Sequence, residues 1–216
     1  MTTPATALPE LGLRITAGPV ALRGITDELI GPLADLAVSG VHDPNLMPFN
    51  VPWTLAPADE LPRQFAQFHW GQRAGFSREK WSLDLAVFYD GELVGNQGFA
   101  TKDYLITRTG ETGSWLGRQF HGRGIGTAMR QVICAFIFDH LDAEQITSAA
   151  FTDNPASLAV SRKCGYRENG LYPQNRMDKR AIVQQLLLDP ADLVRYPHPL
   201  TVEGVSAFRR SIGLDD

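Results

Sequence analysis

Cysteine is nearly absent from this chain of 216 residues: Cys134 and Cys164 are the only two, and both fall inside helical patterns far from any Cys/His cluster. Two isolated thiols argue against a disulfide framework and against a thiolate zinc site, so no metal is expected. Long apolar runs are missing as well. No stretch approaches the ~20 residues needed to cross a bilayer, and the opening MTTPATALPELGL lacks the basic start and apolar core of a signal peptide. Nor is there an excess of positive charge. Twenty Lys and Arg against 24 Asp and Glu leave a net charge of −4, which offers no cationic field to nucleic acid or anionic lipid. The expectation is a cytoplasmic protein that partners neither.

The apolar content, 44% of residues, is enough for one sizeable core. Two short strand-like runs, Leu13 to Thr16 and Val20 to Arg23, come first. Thr26 then reads as an N-cap before Asp27 and Glu28, with Leu29, Ile30, Leu33, Leu36 and Ala37 at helical spacing and Pro32 expected to kink or shorten the helix. From His42 to Pro57 four prolines interrupt any periodicity, which predicts a surface loop of the kind that carries substrate contacts. His42 and Asp43 in it are candidates to reach the acceptor, although an Asp before Pro44 is also ordinary turn chemistry. A second helix is predicted over about Asp59 to Arg73.

Leu83 to Tyr89 and Leu93 to Phe99 flank Asp90-Gly91, a strong hairpin signal, and a third strand is expected over Gly110 to Leu116. The run His121-Gly122-Arg123-Gly124-Ile125-Gly126 leads into a helix with Met129, Val132, Ile133, Phe136 and Ile137 on a buried stripe. Ile146 to Phe151 reads as a strand, Asn154-Pro155 as the start of a helix and Gly165 as its stop, followed by strands near Tyr166 and over Ala181 to Leu188. This order predicts an α/β (α+β) fold, with a mixed, mostly antiparallel sheet between helices. The fold is assigned to residues 1–190, and 191–216 to a linker and a short amphipathic helix over Thr201 to Leu214.

Alternating glycines between a strand and a helix let several N–H groups turn inward at the helix N-terminus, where phosphate is attracted by hydrogen bonds and the helix dipole. A Walker loop needs a terminal Gly-Lys-Ser/Thr, which is missing. The dinucleotide fingerprint needs a glycine where Thr127 stands, and no repeated βαβ pattern surrounds it. A glycine turn without a ligand stays open on the loop alone.

Several blocks together resemble the GCN5-related N-acetyltransferases. Glu-Thr-Gly-Ser-Trp-Leu (111–116), Gly-Arg-Gly-Ile-Gly-Thr (122–127), Asp-Asn-Pro-Ala-Ser-Leu (153–158) and Cys-Gly-Tyr (164–166) occur in that family's order and spacing, within a likeness spanning roughly residues 11 to 190. The run Gly113-Ser114-Trp115-Leu116 is similar to the RimJ/RimL branch, and the likeness extends to actinobacterial members, a mycobacterial one associated with succinyl-CoA among them.

The resemblance implies acyl transfer from acetyl-CoA or succinyl-CoA to a primary amine. The backbone of Trp115, Leu116 and Gly117 would pair with the pantetheine, while His121, Gly122, Arg123, Gly124, Ile125, Gly126 and Thr127 would hold the pyrophosphate. Asn154, Ser157 and Ser161 would line the coenzyme's arm, with Ser161 donating to the departing sulfur. Glu111 would act as base or position a water, with Asn154 and Ser161 as further catalytic candidates. An N-cap role for Asn154, a first-turn polar role for Ser157, a packing role for Ser161 and a structural pairing for Glu111 all stand beside these. Two departures are visible: His121 where the family opens its loop with Gln or Arg, and Ser161 where many members carry a tyrosine acid. The acceptor is expected to be a protein or peptide amine; a small-molecule amine, or a CoA-binding module without turnover, is the alternative. A homo-oligomer is expected from the edge strands and the amphipathic C-terminal segment.

Overall fold

The structure, a computed structural model, describes residues 3–215. In chain order its elements are α1 (Pro4–Ala7), β1 (Arg14–Ala17), β2 (Val20–Gly24), α2 (Asp27–Val38), α3 (Leu61–Ala74), β3 (Lys80–Tyr89), β4 (Glu92–Lys102), α4 (Tyr104–Thr107) and β5 (Thr109–Leu116). There follow α5 (Ile125–Leu141), β6 (Gln145–Phe151), α6 (Pro155–Cys164), β7 (Arg167–Arg176), β8 (Lys179–Leu188), β9 (Thr201–Glu203) and α7 (Val205–Ser211). All nine strands join one sheet in the order β7-β8-β6-β5-β4-β3-β2-β1-β9. Of its eight pairings only β5 with β6 is parallel.

Alternation along β3 shows how the sheet sorts its two faces. Trp81, Leu83, Leu85 and Val87 enter a core shared with α5 and α7, while Ala86 turns to the opposite face, where α2 and α3 contribute Leu33, Leu61 and Phe65. Helix α5 supplies the main ballast: Ile133, Phe136, Ile137 and Leu141 are fully covered, each contributing about 2–3 kcal/mol of burial. The β3–β4 turn takes positive φ at Asp90 and Gly91, as the Asp-Gly signal predicts. Gly165 ends α6 at φ +100°, where a Cβ would run into the Asp192 carbonyl, so only glycine fits.

Two local expectations are corrected. Helix α2 runs unbroken past Pro32; the buried Ile30, Leu33, Ala34 and Ala37 hold it despite the hydrogen bond that proline forfeits. The predicted helix over Thr201 to Leu214 begins instead as strand β9, which pairs antiparallel with β1 through Thr201↔Thr16, Val202↔Ile15 and Glu203↔Arg14. Gly204 turns the chain at φ +81°, and α7 then sinks Phe208 into the core against Trp81 at 5.4 Å between ring centroids. Among the described residues no helix is long and apolar enough to cross a membrane.

Candidate active site

The parallel pairing of β5 with β6 is short. It covers Thr109↔Gln145, Gly110↔Ile146 and Glu111↔Thr147 and then stops. Beyond it β5 stays with β4 as far as Leu116↔Gly95, while β6 follows β8 to Phe151. The two strands therefore part, and a cleft of about 630 Å³ opens between them, floored by α5 and walled by α6. That volume lies within the usual range of small-molecule sites.

At one end of the cleft, Gly122 and Gly124 take φ of +75° and +81°, so the chain curls before α5 begins. Among the described residues the N–H groups of Gly124, Ile125 and Gly126 have no acceptor in the chain, and no side chain caps this 17-residue helix. Nothing lies within 4 Å of a Cβ built on Gly122 or Gly124. Unspent donors, open space and the positive end of a long helix fit a pyrophosphate. His121 fastens the loop to the end of β5 through a 3.2 Å contact between Nε2 and the Leu116 carbonyl.

All the expected coenzyme contacts line the cleft except Gly117, Arg123 and Ser161. Gly117 is a packing glycine, since a Cβ there would meet Leu36 Cδ1 at 2.6 Å, and the Arg123 guanidinium sits over the Phe120 ring at 5.7 Å. Asn154 lies on the wall, but its Oδ1 accepts from the Ser157 N–H at 3.1 Å, so the side chain caps α6. Ser161 does not reach the cleft. It is 0% exposed and among the described residues its hydroxyl has no partner; the α6 face that reaches the cleft carries Ser157, Val160 and Lys163, whereas Ser161 turns inward.

Glu111 stands at the last paired position before the strands part and opens into the cleft. Loss of hydration raises its carboxyl above the ordinary value, and the charge of Arg130 offsets part of that rise. His42 and Asp43 both reach the cleft from the α2–α3 loop. The His42 Nε2 lies 2.7 Å from Thr54 Oγ1, and Asp43 accepts from the Asn45 N–H at 2.9 Å, so turn chemistry and a place on the wall coexist. Phe49 of the same loop continues the wall, packed on Trp53, which packs on Trp115.

Sequence reasoning missed Arg130, Ser114, Ser148 and Lys163, all on the cleft wall. The signal for Arg130 was the single charge within the largely apolar run Met129–Ile137. No cluster of three or more metal-ligating side chains occurs among the described residues. The two thiols are inert, since burial pushes Cys134 up to about 11 and Cys164 to about 12.

A parted strand pair with a glycine-rich helix N-terminus beside it marks a distinct class of α/β fold. The acetyltransferase (GNAT) domain model matches residues 20–167, more than half of the chain, and the chain belongs to that family. The putative ribosomal N-acetyltransferase YdaF of Bacillus subtilis is 30% identical over 88 residues, which are 41% of this chain and 48% of that protein, so the match spans about half the relative's length. Mycobacterium smegmatis RimJ, solved with CoA-disulfide, is 18% identical with a TM-score of 0.64 over 92% of both chains. The Salmonella typhimurium enzyme that modifies the N-terminal serine of ribosomal protein L7/L12 is also 18% identical, with a TM-score of 0.64 over 79% of this chain and 95% of that one. At such identity the two structures bear on the fold.

Proposed function

We propose that this chain transfers an acetyl group from acetyl-CoA to a primary amine of a protein or peptide. The observation that carries the reading is the parting of β5 from β6 directly above the uncapped N-terminus of α5, which offers a thioester arm an unpaired strand edge and a pyrophosphate a ring of free N–H groups. A thioester is already activated, so direct attack by a neutral amine suffices, with the site supplying orientation and stabilisation of developing charge. Glu111 at the mouth of the parting is the base, directly or through water, for an amine that is mostly protonated at neutral pH. The wall of His42, Asp43 and Phe49 is where the acceptor enters.

Succinyl-CoA is the competing donor, and a small-molecule amine the competing acceptor. The protein works in the cytoplasm as a homo-oligomer, a state supported by the exposed edge strand β7. Calorimetric titration with acetyl-CoA, succinyl-CoA, desulfo-CoA and NADH tests the reading. Tight binding of a CoA species but not of NADH supports it and names the donor for an acceptor screen of N-terminal peptides and polyamines. Silence toward every CoA species would overturn it.

A further inference from the structure

Arg130 is a buried cation that makes no ion pair among the described residues, although its charge acts on the Glu111 carboxyl. It projects from α5, is 4% exposed, and its hydrogen-bond partners are all neutral. Nε donates to Gln97 Oε1 at 3.4 Å, Nη1 to Ser148 Oγ at 3.1 Å and Nη2 to Ser114 Oγ at 2.9 Å. These partners stand on β4, β6 and β5, so one guanidinium ties three strands together at the place where two of them part. Burying a charge among neutral dipoles is costly, and the cost falls when negative charge develops nearby.

The hydrogens around this guanidinium are unequally committed. Gln97 Nε2 donates to the Gly98 and Gly113 carbonyls, each at 3.0 Å. The Ser148 hydroxyl donates to the Thr112 carbonyl at 3.3 Å. Ser114 accepts from Arg130 and, among the described residues, has no acceptor for its own hydrogen. It lines the cleft on the stretch of β5 that has left β6 and pairs only with β4. Ser161, the residue standing where a tyrosine acid is expected, is sealed away from that space.

We propose that Ser114 is a catalytic hydrogen-bond donor to the thioester carbonyl, and that Arg130 is the positioning residue that polarises it. The inference rests on the acyl-transfer reading above. The amine nitrogen forms the new C–N bond, the carbonyl π pair moves onto oxygen, and the Ser114 O–H stabilises that oxyanion. Collapse breaks the C–S bond and releases the thiolate of CoA. The nitrogen's proton leaves to Glu111 or water, the thiolate is protonated from solvent, and Ser114 keeps its own proton throughout. A hydroxyl already accepting a charge-assisted bond is a stronger donor than an isolated one.

The test is isotope-edited infrared spectroscopy of acetyl-CoA labelled with carbon-13 at the carbonyl, bound to the full chain, with affinity measured in parallel. The parent should lower the carbonyl stretch relative to free acetyl-CoA. Ser114→Ala should lose much of that shift while keeping its Kd within about threefold, as expected when an interaction is stronger in the transition state than in the ground state. Ser114→Thr, which keeps the hydroxyl, should retain the shift. Arg130→Lys should lose part of it, and the Ser114→Ala/Arg130→Lys pair should lose no more than Ser114→Ala alone. Where the arginine variant melts early, the serine series alone decides. An unchanged band in Ser114→Ala overturns the proposal. A parent that binds no acetyl-CoA overturns the acyl-transfer reading itself, and that result appears before any variant is made.

Discussion

Arg176 grips the Asp153 carboxylate with both terminal nitrogens, at 2.8 and 2.6 Å. The same guanidinium donates to the Met47 carbonyl at 3.2 Å and lies over the Phe151 ring at 4.3 Å. The tip of the β7–β8 hairpin, the end of β6 and the proline-rich loop that carries the His42, Asp43 and Phe49 wall of the cleft are thereby tied together. Asp153 is about half exposed, so Asp153→Ala should cost less than about 1 kcal/mol of global stability. It should nevertheless free the loop: hydrogen exchange around Met47 should quicken and the acceptor KM rise, with the Kd for acetyl-CoA unchanged. An equal loss of donor affinity would place the latch elsewhere in function.

Two glycines of the loop should respond oppositely to alanine. At Gly124 the backbone is left-handed, so Gly124→Ala should cost about 1 kcal/mol and place a methyl in the open anion site, weakening CoA binding by tenfold or more. Gly126 is inside α5, and a Cβ there makes ordinary contacts with Val160 and Leu116 at 3.5 and 3.6 Å. Gly126→Ala should raise Tm slightly, since it restrains the unfolded chain by about 0.4–1 kcal/mol. Melting curves and calorimetry on the pair check both statements.

Glu111 works as a base only when ionised, and although the residue is exposed, partial loss of hydration of its carboxyl raises it above its ordinary value. The acid limb of kcat/KM should therefore lie above the usual carboxylate range, with activity climbing as pH rises through it. Glu111→Gln should abolish this limb and lower the plateau by about 10²-fold or more, while acetyl-CoA affinity is kept. A pH profile that keeps the limb in Glu111→Gln removes the glutamate from the chemistry.

On the face of the sheet covered by α2 and α3, burial pushes the Asp84 carboxyl up to about 6, with Asn96 and Ser82 drawing it partly back. Glu10 is raised by burial too, with its own backbone N–H and the charge of Arg73 drawing it partly back. For carboxyls raised on folding, the associated stability is complete below the unfolded value and is lost as pH climbs through the folded one, here near 6 for Asp84. Asp84→Asn should remove a pH-dependent loss on the order of 3 kcal/mol. The Tm gap between variant and parent should widen from pH 4 to pH 8; a constant gap would show that Asp84 does not titrate in that window.

Much of this arrangement was legible in the letters. The Asp90-Gly91 turn, the Asn154 cap and the glycine run each carry a backbone requirement that few residues satisfy, so their place in the fold could be read locally. Ser161 and Arg130 were not legible for one shared reason. Helical spacing tells which residues share a face but not what covers it, and α5 is covered almost all round by the sheet and its neighbours, which buries Arg130 and Gln131 with the apolar stripe. Val202 misled in another way: three residues are too few to separate a strand's alternation from a helix's stripe, and only pairing with β1 decides.

Strand β9 carries a consequence for the order in which the molecule can be completed. Strand β1 is synthesised among the first elements, yet its outer neighbour lies nearly two hundred residues later in the chain, and the ring of Trp81 waits for Phe208 to close over it. A ribosome must deliver almost the whole chain before that flank of the sheet can be finished. Contacts so distant in sequence slow folding, and until they form β1 offers an open edge to any other strand nearby. Shielding that edge during synthesis falls to whatever meets the emerging chain.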